Sequence, residues 1–526
     1  MTAVDMVKRL AGLWGEGGRV RLTPQESACE MEGTPELLPD VARRLVRDLG
    51  LAFAGLIVEE GAEQWDARYV FYGDRDEGLV HAVVHRPLSE PRLPTLTAHV
   101  PAADWHEREA EDMFGLAFDG HPRLGDFILH DDAWQEGVAP MRKAFDGRRP
   151  LEERRPNPEW RPRRIVEAAG AFTQPVGPVF AGLAESVHFQ LETVGEDVIR
   201  SFPRLFYKYR GVEKIAEGRP ALDGLLLAER FCATSAFAHG LAYCEALESI
   251  SATHVPERAR KLRVLVAELE RVRHHVAAVE AICESTGLAV AASQVGLLEE
   301  ELLRISGSLT GHRYLFGLLA PGGLAGDLED TACRETVAAV RGILARLEQL
   351  SRMLRFSSSF LDRLEEVGLV TEEEARRDVL VGPVARASGV ARDLRRVLPY
   401  AAYEPLDFDV PVEREGDGYA RLRLLLAETA QSLRLMDQVS AALAAGPVLA
   451  PWEARPGAAL GWAEAPRGAA FHWVRVTEDA ALARYHVMPP SFANWQGFHL
   501  AAEDFAFQDF PIILATFDLS VAESDR

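Results

Sequence analysis

The chain's 526 residues exceed what one ordinary core holds, about 250–300 residues, so more than one domain is expected. Its 48% hydrophobic and 26% charged residues supply material for large cores and exclude a disordered chain. The balance of 58 Lys and Arg against 80 Asp and Glu, a net charge of −22, repels nucleic-acid phosphates and anionic lipid head groups, and no run of about 18 apolar residues offers a direct membrane span.

The opening "MTAVDMVKRLAGLWGEGG" lacks the uninterrupted apolar core of a signal peptide. Five scattered cysteines, Cys29, Cys232, Cys244, Cys283 and Cys333, form no Cys-x-x-Cys pair, which predicts a reducing, cytoplasmic setting. Residues 1–146 mix a helical start with the strand-like runs "RYVFYGD", "GLVHAVVHRPL" and "LPTLTAHVP", each bounded by Gly, Pro or Asp, and read as a small α/β domain. Within it Glu107-Arg108-Glu109 has the composition of a solvated helix face with weak ion pairs. Residues 147–164 carry seven Arg and four Pro, which resists a packed core and marks a linker. Residues 165–526 turn to long amphipathic patterns. In "ARKLRVLVAELERVRHHVAAVEAI" the residues Leu262, Leu265, Leu269, Val272, Val276 and Val279 share one face, and similar helices are expected over about 328–356 and 418–445. The second domain is therefore expected to be a mainly α-helical bundle, with "LLAPGGLAG" and "VGPVARASG" as turns, and the fold class α+β.

The stretch from Trp105 to Asp132 with "PMRKAF" at Pro140–Phe145 resembles the C-type subunit of respiratory complex I, the NADH:quinone oxidoreductase. The second domain resembles the large subunit of membrane-bound [NiFe] hydrogenases of the formate hydrogenlyase type, and the D-type subunit of complex I. The resemblance is carried by "YRGVEK" (209–214), "AERFCATSAFAHGLAYCEALE" (228–248), "TGHR" (310–313), "GPVARASG" (382–389), "EAPRG" (464–468) and "DFPIILATFDLSVAESDR" (509–526). A C-like domain ahead of a D-like one is the layout of formate hydrogenlyase large subunits.

That resemblance implies a nickel–iron centre on four thiolates in two Cys-x-x-Cys pairs, because soft sulfur holds nickel and bridges it to iron. Here the first frame reads Arg230-Phe231-Cys232-Ala233-Thr234-Ser235, and the last reads Asp518-Leu519-Ser520-Val521-Ala522-Glu523-Ser524-Asp525-Arg526. Ser235, Ser520 and Glu523 stand where sulfur is required, so an active hydrogenase is not expected. The D-type subunit of complex I is implied to line its quinone site with two histidines and a tyrosine, where this chain has Phe180, Ala184 and Ala233. Around the missing centre Arg467, which the resemblance places beside the iron's diatomic ligands, remains, as do His188, His239, Glu248, Arg386 and Asp518 on motif positions.

Cys232, Ser235, His239, Arg467, Asp518, Ser520 and Glu523 are thus the candidates for a vestigial pocket, with no catalytic, cofactor-binding or metal residue assigned. Cys232 reads as a packed, unreactive remnant. The expected function is a cytoplasmic scaffold or coupling element of an ion-translocating or related complex, peripheral on the inner face of the cell membrane. The alternative is an electron-transfer subunit of an NADH or ferredoxin:quinone-type oxidoreductase with a remodelled acceptor site. The resemblance implies a small Fe-S-type subunit, a ferredoxin-like subunit and antiporter-type membrane-arm subunits as partners, with any iron–sulfur clusters in them rather than here.

Overall fold

The structure, a computed structural model, describes residues 10, 13–14, 18–23, 28–73, 78–148, 169–180 and 185–526. Most of the Arg- and Pro-rich segment, residues 149–164, and positions 181–184 of the quinone-site frame lie outside the described residues.

The first domain is a five-stranded sheet of β1 (Arg19–Leu22), β2 (Ala28–Gly33), β3 (Ala52–Glu60), β4 (Gln64–Tyr72) and β5 (Leu79–Pro87), in the order β1-β2-β5-β4-β3. Within this sheet the β2–β5 pair is parallel and the other pairs are antiparallel. "RYVFYGD" and "GLVHAVVHRPL" form β4 and β5, but "LPTLTAHVP" keeps strand geometry only at its start, within Arg92–Pro94, because it then turns into the helix that follows. Helix α1 (Leu38–Arg47) buries Leu38, Val41, Ala42 and Leu45, an i, i+3, i+4, i+7 stripe. Helix α2 (Asp104–Phe114) ends at Gly115, whose φ of 74° is the left-handed stop that glycine adopts without steric cost.

The expectation of a solvated Glu107-Arg108-Glu109 face is overturned: all three are buried. Helix α2 lies between the first domain's sheet and the second domain, so its charges need internal partners. Glu107 accepts from the Leu96 amide at 2.6 Å and from the hydroxyls of Thr95 and Thr97, Arg108 lies 4.2 Å over the Phe127 ring, and Glu109 receives Arg526 Nη2 at 2.6 Å.

The second domain carries the expected long helices, among them α3 (Ala221–Arg230), α4 (Ala236–Ser251), α5 (Glu257–Ser285), α6 (Ala289–Thr310), α7 (Asp330–Leu354), the short α8 (Gly382–Ala387) and α9 (Gly418–Ala441). "VGPVARASG" is therefore a one-and-a-half-turn helix rather than a plain turn; its Pro383 sits at the start of α8, where a missing N–H costs nothing.

The domain is not a pure bundle. An antiparallel sheet of β6 (Ala171–Val176), β7 (His188–Val194) and β8 (Asp197–Arg204) stands at one end, and a meander of β9 (Gly457–Ala465), β10 (Gly468–Val476) and β11 (Leu482–Met488) lies in the middle. The chain closes with α10 (Pro490–Ala501), strand β12 (Phe505–Ala506) on β8, α11 (Phe510–Phe517) and α12 (Val521–Ser524). No helix of the described residues is long and apolar enough to cross a membrane.

The β9–β11 meander joins the domains. From one face of β10, Phe471 lies 5.3 Å from the Tyr72 ring, Trp473 packs edge-on to His81, and Arg475 pairs with Glu59 at 2.6 Å. From the other face, His472 turns toward α4. This alternation is the two-residue period of a strand buried on both sides.

Candidate functional site

Arg467 owes its position to the tightest turn in the meander. Ala465 pairs with Gly468, so Pro466-Arg467 is a two-residue hairpin tip. Gly382 at the head of α8 presses against that tip: a Cβ there would stand 2.0 Å from the Arg467 carbonyl, which only glycine permits.

Cys232 comes from the extended residue between α3 and α4, and Ser520 and Glu523 from the cap and body of α12. Their side chains meet. Cys232 Sγ lies 3.5 Å from Glu523 Oε1 and 4.0 Å from Ser520 Oγ. Arg467 Nη1 lies 3.5 Å from Glu523 Oε1 and 3.9 Å from the sulfur, and donates to Thr234 Oγ1 at 2.9 Å. Its other face holds Asp518, through the backbone carbonyl at 2.5 Å and Oδ1 at 3.3 Å. Asp518 has a left-handed φ of 50° at the end of α11 and also accepts from His274 at 2.5 Å.

Glu523 is fully buried. Its Oε2 accepts the Ser491 amide at 3.1 Å, and its Oε1 faces His239 Nε2 at 3.6 Å. Beyond it runs a line of rings: His239 Nδ1 to His472 Nε2 at 3.0 Å, and His472 Nδ1 to the Tyr485 hydroxyl at 2.9 Å. Ser235 shares the turn with Cys232, its hydroxyl buried and without a hydrogen-bond partner among the described residues.

Electrostatics follow from burial. Desolvation, reinforced by the charge of Glu523, pushes the Cys232 thiol up to about 12, so it is no thiolate at neutral pH. Burial alone would raise Glu523, but the His239 contact and the Arg467 charge outweigh it and hold the carboxyl well below the usual range. Asp518 is likewise held down to about 2, with burial overcome by Arg467 and His274. Burial lowers His274 to about 4 and drives His472 well below the imidazole range, so both rings are neutral.

One stretch of α5, which sequence reasoning read only for its apolar stripe, holds these segments in place. Glu270 accepts the Phe237 and Ala238 amides at 2.7 and 3.0 Å, capping the start of α4. Arg271 donates to the Glu464 and Ala465 carbonyls beneath the hairpin, Arg273 to the Thr234 carbonyl, and His274 to Asp518. The other motif residues lie apart from this group. Arg386 binds Glu428 at 2.6 Å and Glu464 at 2.7 Å, Glu248 binds Arg263 at 2.6 Å, and His188 begins β7.

A second cluster, whose members Glu109, Glu213 and Arg526 lie in the quoted motif stretches but were given no role there, ties Arg526 to the first domain. Glu213 receives Arg526 Nε at 3.0 Å, Arg484 Nη1 at 2.9 Å and the Val487 amide at 3.0 Å, with His486 Nδ1 at 3.0 Å. Glu109, Glu213 and His486 offer three ligand atoms within 4.8 Å of one another. The guanidiniums of Arg484 and Arg526 already neutralise the two carboxylates, so a divalent ion there would be uncompensated.

Similarity to known proteins agrees with this geometry. Residues 31–150 match the family described as the respiratory-chain NADH dehydrogenase 30 Kd subunit, residues 295–455 and 450–526 its 49 Kd subunit, and residues 210–279 nickel-dependent hydrogenase. The chain is 32% identical to formate hydrogenlyase subunit 5 of Escherichia coli (strain K12) over 83% of its length and 78% of the relative's. The chain belongs to the fused complex I C/D and hydrogenase large-subunit family. Hydrogenase-4 component G of the same organism is 30% identical over 82% of this chain and 76% of its own. A C/D-type NADH-quinone oxidoreductase polypeptide of Aquifex aeolicus (strain VF5) is 29% identical over 75% and 71%.

The donor set does not fit the nickel–iron centre that this family implies. Of the four positions, one carries a thiol whose proton is held to about pH 12, two carry hydroxyls that stay protonated, and the fourth carries a carboxylate already committed to Arg467 and the Ser491 amide. What the arrangement does is neutralise: Glu523 supplies a fixed negative charge against Arg467 in a site closed by direct contacts.

Proposed function

We propose that this chain is the peripheral large subunit of a membrane-associated complex of the complex I and hydrogenase type, in which it acts as a scaffold or coupling element rather than as the seat of hydrogen chemistry. One observation carries the reading. Glu523, at the position of the fourth thiolate, is fully buried and compensates Arg467 at 3.5 Å, so the place of the metal pair is filled by an internal ion pair. Fold alone does not fix activity in this family, and the residues that would carry either known chemistry are replaced. The reading includes a small Fe-S-type subunit against the site, a ferredoxin-like subunit and antiporter-type membrane-arm subunits, with attachment to the inner face of the membrane through them.

The test is to purify the assembly by a tag on this chain, reduce its iron–sulfur clusters, add a short-chain quinone, and follow reoxidation by electron spin resonance. A scaffold predicts clusters indifferent to the quinone, or reoxidation unchanged by Arg467→Ala in an intact assembly. Reoxidation abolished by Arg467→Ala with every subunit still present overturns it, and would make the chain an electron-transfer subunit with a remodelled acceptor site.

A further inference from the structure

A cleft of about 510 Å³ opens where the first domain, the β6–β8 sheet and α10 meet. Its wall includes Trp105 from α2, Arg200 to Pro203 of β8, Arg377 and Asp378, and Trp495 and His499 of α10. β12 covers β8 only at Asp197 and Val198, so the strand's edge beyond them faces the cleft without a neighbouring strand among the described residues.

Two features of this wall point to a ligand. The first is charge: in a chain of net charge −22, the cleft gathers Arg123, Arg200 and Arg377 against two carboxylates, Asp104 and Asp378. Those carboxylates each hold one arginine, Asp104 with Arg123 at 2.8 Å and Asp378 with Arg377 at 2.7 Å. Arg200 is held more loosely, 3.7 Å from Glu503 with both side chains more than a third exposed. The second is an aromatic lining, with Trp105 and Trp495 buried and Phe202 41% exposed at the rim.

We propose that this cleft binds an organic anion with a flat aromatic body, of about mononucleotide size, which the cavity volume accommodates. Its ring system lies against the Trp105, Phe202 and Trp495 wall. Its phosphate or carboxylate meets Arg200, the guanidinium with the weakest internal commitment, which shares a strand face with Phe202. Because the Trp495 indole also donates to the Ser520 carbonyl at 3.2 Å, the ligand would touch the element that braces the closed site.

The test titrates the full-length protein with adenosine 5′-monophosphate, 2-naphthoate and adenosine, following tryptophan fluorescence and heat of binding. Saturable binding of at least one of the two anions is expected, with adenosine, which lacks the charge, weaker by about tenfold or more. The phosphate and carboxylate arms tell which anion the site takes. Arg200→Gln, on a side chain 39% exposed whose loss leaves the fold intact, is expected to weaken that anion by about tenfold. Binding of neither anion overturns the proposal, as does binding of equal strength in Arg200→Gln.

Discussion

Arg467 and Glu523 form an ion pair with Nη1 3.5 Å from Oε1, and the Cys232 sulfur lies 3.5 Å from the same carboxylate oxygen. The pair is completed on its far side by Asp518, so one guanidinium answers two carboxylates, Glu523 fully buried and Asp518 partly so, the second of which also holds His274.

Acid should dismantle this arrangement in a defined window. Asp518 ionises at an ordinary value of 3.8 in the unfolded chain and at about 2 in the fold, so it binds its proton less readily when folded. Its contribution to stability is therefore fully present above about pH 4 and lost as pH falls toward 2, and the depressed Glu523 acts in the same sense from its ordinary value of 4.5 downward. Asp518→Asn should lower unfolding free energy at pH 7, and the gap between variant and wild type should narrow below pH 4. Denaturant titrations at pH 7, 4 and 3 check this; a gap that does not change with pH would contradict the charged assignment.

Cys232 should resist thiol chemistry. Its sulfur is buried and its proton is held to about pH 12, so the thiolate that would attack a disulfide reagent is scarce at pH 8. Native protein treated with such a reagent and digested should show Cys232 unmodified, whereas denatured protein should show it modified. Cys232→Ala should leave assembly intact and cost about 1–2 kcal/mol of stability, the scale of a small buried side chain lost from a packed site.

The contrast between the two domain contacts gives a third prediction. Glu213 is buried and answers both Arg484 and Arg526, whereas the Glu59–Arg475 pair has an arginine 39% exposed. Glu213→Gln leaves Arg484 without a carboxylate in a dry interface and Arg526 with Glu109 alone, and should cost about 3–5 kcal/mol, while Arg475→Gln, which removes a guanidinium 39% exposed, should cost less, about 1–2 kcal/mol. Chemical denaturation of the two variants separates them; equal losses would show that burial does not set the scale here.

Much of the layout was legible because its signals are local. The stripe from Leu262 to Val279 is fully buried as read, and the motif frames brought Cys232, Arg467, Ser520 and Glu523 to one place. The misses share a cause. Glu107, Arg108 and Glu109 read as solvent-facing because burial of charge depends on distant partners such as Arg526, 417 residues away from Glu109 in sequence. Residues Glu270 to His274 were hidden in a helix whose apolar pattern accounted for only part of its buried surface, the rest being polar. The β9–β11 meander went unread although "AAFHWVRV" carries aromatic and β-branched residues. A strand packed on both faces loses the apolar–polar alternation that announces an exposed sheet, and here His472 and Arg475 interrupt it from opposite sides.

The line from Glu523 to Tyr485 fixes the protons on two histidines, and this can be measured. An ionised Glu523 facing His239 Nε2 at 3.6 Å favours the hydrogen on that nitrogen, which leaves Nδ1 to accept. His472 Nε2, 3.0 Å away, must then carry its hydrogen, and its Nδ1 accepts from the Tyr485 hydroxyl at 2.9 Å. Both rings should therefore appear as Nε2–H tautomers in spectra of the ¹⁵N-histidine-labelled protein. Tyr485→Phe removes the terminal donor and should cost about 1–3 kcal/mol, because a buried ring nitrogen is left unsatisfied, yet it should keep both tautomers, since the order is set from the carboxylate end. Glu523→Leu removes that end and should release His239 to a mixture of tautomers. Loss of tautomer order in Tyr485→Phe but not in Glu523→Leu would place the control at the tyrosine instead.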